Sequence, residues 1–132
     1  MIKTLNDIKT VDVHVLSWFD RINGNSYFAG KLTLNYNSDN QVTLLVPFQY
    51  GYGYHNEYIT SEILFDHLID KKQDISIKRL CRENNIVLRY TKTENKKRDL
   101  KALEKSFIDY ENELNKEARE LAEHEAEYRK QC

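Results

Sequence analysis

From about residue 96 to its end the chain contains neither glycine nor proline, and its apolar residues return at heptad spacing. Leu100, Leu103, Phe107, Tyr110, Leu114, Leu121 and Tyr128 fall on a and d positions, with Glu117 and His124 at d positions among them. Nothing in this stretch breaks a helix. Roughly 35 residues at about 1.5 Å each span on the order of 50 Å. A body of about 90 residues is only about 30 Å across. The helix must overshoot the body it is joined to, so it projects or docks on another subunit. The expected division is an α+β body over residues 1–95 and a long amphipathic helix over 96–132.

Charge bears on what the helix meets. In the register above, Asp99, Glu113, Glu120 and Glu127 line one flank of the stripe, and Glu104, Glu111 and Glu125 the other. Like charges facing each other disfavour a simple zipper of two copies. Lys and Arg minus Asp and Glu is 4 − 8 = −4 over residues 1–70, 10 − 3 = +7 over 71–98 and 6 − 10 = −4 over 99–132, which sums to the net −1. That balance excludes a generally basic nucleic-acid binder and a strongly acidic mimic of DNA. The basic middle block suits either the acidic helix of the same or a neighbouring chain or an external anion. The expectation is a homo-oligomer, a dimer, with the helix packed near the basic block. Leu100, Leu103, Phe107, Tyr110, Leu114 and Leu121 form its seam.

The first third reads as a three-stranded antiparallel meander. Val11, Val13 and Val15 alternate with Asp12 and His14 in a strand over 10–20. Asn23-Gly24 offers the positive φ of a tight hairpin. A second strand follows over 26–36, with Phe28, Leu32, Leu34 and Tyr36 on one side, and a third over 41–48. Pro47 has no N–H to give a ladder, which puts its strand end at an edge. After an aromatic loop, a helix is expected over 60–71, capped by Thr60 or Ser61 and carrying Ile63, Leu64, His67 and Leu68 inward. A second helix over about 75–83 has Asp74 as its cap and Asn84-Asn85 as its stop. A fourth strand covers 86–91. The fold class is α+β: a small antiparallel β-meander with short helices and one long C-terminal helix.

Three clusters carry binding chemistry. The loop with Tyr50, Tyr52, Tyr54, His55 and Tyr58 around Gly51 and Gly53 offers rings that recognise partners or stack on bases, or that pack over the open sheet. The turn Asp20–Tyr27 offers Arg21 to a phosphate or carboxylate and Asn23, Asn25 and Tyr27 to a ligand, or Asp20 pairs with Arg21. In a meander the first turn and the end of the third strand share one end of the sheet, so both features frame one cleft. The third is the basic run Lys78, Arg79, Arg82, Arg89, Lys92, Lys96, Lys97 and Arg98, suited to phosphate or to the acidic helix.

Catalytic signals are weak. His14, His55, His67 and His124 lack metal-ligand spacing, and no phosphate loop or nucleophile elbow occurs. The expectation is a non-enzyme without metal or cofactor. Cys81 and Cys132 make no disulfide framework, the first residues have no apolar signal region, and the longest apolar run, Leu44–Phe48, is far short of a membrane span. A cytoplasmic, reducing setting follows.

The stretch Trp18-Phe19-Asp20-Arg21-Ile22-Asn23-Gly24-Asn25-Ser26-Tyr27, followed by Pro47-Phe48-Gln49-Tyr50-Gly51-Tyr52-Gly53 and Tyr58, resembles a pattern in small phage and mobile-element proteins. There a strand ends in Asp-Arg and an Asn-Gly-Asn-Ser/Thr-Tyr turn, and a Tyr-Gly-Tyr-Gly loop precedes a helix. The likeness covers residues 11–68. It implies an accessory, anti-defence role: an anti-CRISPR-like inhibitor that binds a host or defence protein, or a sponge for a defence signalling nucleotide. A nucleic-acid binder using the 71–98 block is the third alternative.

Overall fold

The computed structural model describes residues 1–131, so Cys132 lies outside the described residues. A 3-10 turn at Leu5–Asp7 leads into β1 (Thr10–Asp20), β2 (Asn25–Leu34) and β3 (Val42–Tyr50). Then come α1 (His55–Asp66), α2 (Ile77–Glu83), β4 (Val87–Glu94) and α3 (Lys97–Gln131). The strand order is β3-β2-β1-β4. The meander is antiparallel, as its sequence implies, but β4 adds to β1 in parallel, so the sheet is mixed. β3 and β4 run the same way on opposite edges. A hairpin cannot make that connection, and α1 and α2 supply the crossover.

The alternation in β1 sorts the two faces. Val11, Val13 and Val15 are buried on one face with Phe28, Leu32, Leu34 and Val46, under Leu64 and Phe65 of α1 and Ile77, Leu80 and Cys81 of α2. Tyr36, expected to continue this face, lies beyond β2 and is exposed, because Asn35 (φ 52°) and Asn37 (φ 60°) turn the chain away. At Gly30 the β1 backbone leaves no room for a side chain: a Cβ there would lie 2.5 Å from the His14 carbonyl oxygen. Pro47 is on the edge strand, at an irregularity opposite Ala29, which relieves it of a ladder bond.

Burial pushes the Cys81 thiol up to about 12. The Tyr90 hydroxyl, buried with no partner among the described residues, is also raised, first by burial and then by the negative charge of Glu57.

α1 begins five residues before the expected start at residue 60. Thr60 and Ser61 are not caps but fully buried residues inside it, and the Thr60 hydroxyl donates to the Glu57 carbonyl (3.1 Å). His67 falls outside the helix and is exposed. The buried stripe is Asn56, Glu57, Thr60, Ser61, Leu64 and Phe65. Four of these six are polar, so apolar periodicity misplaces the helix toward its C-terminal end. The cap of α2 is Ser76, not Asp74: the Ser76 hydroxyl accepts from the Arg79 N–H (3.2 Å). Asn85 ends it in left-handed geometry (φ 54°).

α3 crosses the opposite face. It contacts β1, β2 and β3, and Leu100 is fully buried there. Lys97 lies over the Trp18 ring, Lys101 over Phe48, and Glu104 accepts from the Phe48 N–H (2.8 Å). Leu103 and Phe107 are half-buried, while Tyr110, Leu114, Leu121 and Tyr128 are exposed. Within the chain, therefore, the expected seam is fully buried at Leu100, half-buried at Leu103 and Phe107, and open from Tyr110 onward. Four strands at about 4.8 Å spacing are too narrow to cover more of such a helix. The helix passes the β3 edge beside Thr43 and leaves the sheet.

Candidate functional site

The β1–β2 turn, the aromatic loop and the β4–α3 junction meet at one end of the sheet and enclose a cleft of about 900 Å³. The turn closes differently from a two-residue hairpin. Asp20 and Asn25 pair directly, and Gly24 (φ 72°) returns its N–H to the Asp20 carbonyl (2.7 Å). The Asp20 carboxylate accepts from the N–H groups of Ile22 and Asn23 and from the Asn23 amide. The Asn23 side-chain bond, the largest influence, holds Asp20 below its usual range. Asp20 thus pairs with its own turn rather than with Arg21, and Asn23 is occupied by Asp20 instead of reaching a ligand. Arg21 is exposed at the cleft, whereas Asn25 begins β2 outside the lining.

The tyrosines divide. Tyr27 stacks between Trp18 (5.4 Å) and Phe48 (5.3 Å) on the α3 face. Tyr50 stands edge-on to Tyr27 and Tyr52. Tyr27 and Tyr52 line the cleft; Tyr50, Tyr54, His55 and Tyr58 do not. His55 instead packs edge-on against Phe28 (5.9 Å). A Cβ at Gly51 would meet the His55 and Phe28 rings at 2.5 and 2.7 Å, so the loop needs glycine there.

The basic run is dispersed. Lys78 reaches buried Glu57 (3.6 Å) and the Tyr90 ring, Arg79 bridges to Glu83 (2.8 Å), and Arg89 binds Asp12 (2.9 Å). Arg82 and Arg98 are exposed. Among the described residues no ion pair joins α3 to residues 71–98, so the acidic flanks do not receive this block within the chain. Lys92 and Lys96 line the cleft instead, and the Lys92 ammonium donates to the Gly53 carbonyl (3.5 Å).

Sequence reasoning missed Trp18, Phe19, Asn56 and the Thr93–Asn95 corner, all of which line the cleft. Trp18-Phe19 was readable, since adjacent strand residues face opposite sides and so flank the sheet end. Asn56 carried no signal. It is 2% exposed; its amide nitrogen donates to the Gly53 carbonyl (3.1 Å), and its Oδ1 has no donor among the described residues. Among the described residues no three His, Cys, Asp or Glu side chains cluster as metal ligands, and no helix is long and apolar enough to cross a membrane. The chain matches no family model, curated protein or solved structure, which leaves its own geometry to carry the functional reading.

Proposed function

We propose that this is a non-catalytic, phage-type accessory protein that binds and inhibits a bacterial defence or host protein in an anti-CRISPR-like manner. The observation that supports this is the outer part of α3. From Ile108 onward the helix leaves its own sheet, with Tyr110, Leu114, Leu121 and Tyr128 exposed along one stripe. An isolated helix gains little stability from propensity alone, and an amphipathic face of this kind is suited to a partner's groove. Residues 99–132 carry 6 − 10 = −4, so the groove that fits has an apolar floor and basic rims. A second copy of the chain is the other occupant.

The test is phage plating on a host with an active CRISPR system. The intact chain should restore plating. Leu114→Glu with Leu121→Glu should abolish rescue without lowering the melting temperature, since both residues are exposed. Full rescue by that double variant refutes the reading. Light scattering on the intact chain separates a dimer from a monomer awaiting a different protein.

A further inference from the structure

We infer that the cleft at the turn end of the sheet binds a free nucleoside phosphate of mono- or dinucleotide size. This goes beyond the α3 reading and rests on different residues. Two large rings flank the cleft in solvent, Phe19 at 56% and Tyr52 at 67% exposure. Exposed rings at a concave site are platforms for flat heterocycles, and ring–base stacking is worth about 1–3 kcal/mol per base. Arg21, Lys92 and Lys96 line the same space, opposed by Asp20 and Glu94. Three cations against two carboxylates, 3 − 2 = +1, leave the cleft with a net positive charge for a ligand phosphate.

Asn56 supplies the specificity. Its Nδ2 bond to Gly53 fixes the amide's orientation and leaves Oδ1 as a buried acceptor without a donor. Buried polar atoms in folded chains are almost always paired, and this orphan belongs to a residue that lines the cleft, which points to a ligand group as its partner. An acceptor there takes the exocyclic amino group of a base or a sugar hydroxyl. A volume of about 900 Å³ sits at the upper end of small-ligand sites and has room for one or two nucleotides.

Isothermal titration of the full chain with the four ribonucleoside monophosphates and with cyclic di-AMP tests this. At least one should bind at micromolar to low-millimolar concentration, more tightly than inorganic phosphate or the matching nucleoside alone. Phe19→Ala should weaken it at least fivefold, as should Lys92→Gln with Lys96→Gln, the latter also flattening its salt dependence. These positions are on the surface, so folding is preserved and a matched melting temperature confirms it. Asn56→Ala should change the preference among bases. No heat from any probe overturns the inference, as does equal binding by the Phe19 and lysine variants. Tighter binding of a single-stranded oligonucleotide than of every small probe also overturns it, in favour of a strand-binding groove.

Discussion

α1 and α3 lie on opposite faces of the same sheet, and their sequence patterns and their burial run in opposite directions. α3 has the regular apolar stripe, yet past Phe107 its stripe is exposed. α1 has no such stripe, yet Thr60, Ser61 and Leu64 are wholly buried. Periodicity reports that a helix has a face to bury; it does not name the surface that buries it. α1 is held by its place in the crossover, which presses it on the sheet and forces polar groups inward. α3 follows the last strand, and only its first third can find sheet beneath it.

The contrast is sharpest in chemical access. Cys81 on α2 shares the α1 core, so in a Cys132→Ser background a thiol reagent should modify it only through global unfolding. At typical domain stabilities of about 5–15 kcal/mol that slows labelling by several orders of magnitude. A cysteine introduced by Leu121→Cys should react at the rate of a free peptide thiol. Comparable rates at both positions would mean that the body opens locally or that α3 is covered. The same burial gives a pH signature. The folded thiol titrates near 12 and an unfolded one near 9.0, so its contribution to stability is complete below pH 9 and declines as pH rises through that window.

Side-chain truncation comes next in size. Leu64→Ala should lower stability by about 2–5 kcal/mol in urea, whereas Leu121→Ala should change it by less than about 0.5 kcal/mol. Equal losses would collapse the distinction. Along α3 itself the effect should fall in steps. Leu100→Ala should lose about 2–4 kcal/mol, Phe107→Ala roughly half of that, and Leu114→Ala under about 1 kcal/mol. Amide protection by hydrogen exchange should fade along the same path. A flat profile would mean that one partner, such as a second copy, covers the whole helix.

The smallest expected effect tests the buried polar stripe. The Ser61 hydroxyl is buried without a partner among the described residues. Ser61→Ala removes that unpaired group and should raise stability by up to about 1 kcal/mol. A loss of similar size would reveal that the hydroxyl is hydrogen-bonded in solution.

Much of this was written locally. β1 is legible because Val11, Val13 and Val15 are β-branched and alternate with polar residues. The cleft was partly legible, since consecutive hairpins return the first turn and the end of β3 to one end of the sheet; that logic correctly joined Arg21 to Tyr52. It overreached for Asn23, whose amide Asp20 takes up, and it had no means to find Asn56, an ordinary polar residue until the fold buries it.

The strands of the meander and the continuity of α3 were set locally, because alternation and the absence of Gly and Pro act within a few residues. Long-range packing was needed to set that β4 joins β1 in parallel, that Lys92 and Lys96 line the cleft while Arg89 pairs with Asp12, and that the α3 stripe is sheltered only as far as Phe107. Each of those depends on which surface a distant segment brings into contact and on where a four-stranded sheet ends, and neither is encoded in the spacing of neighbouring residues.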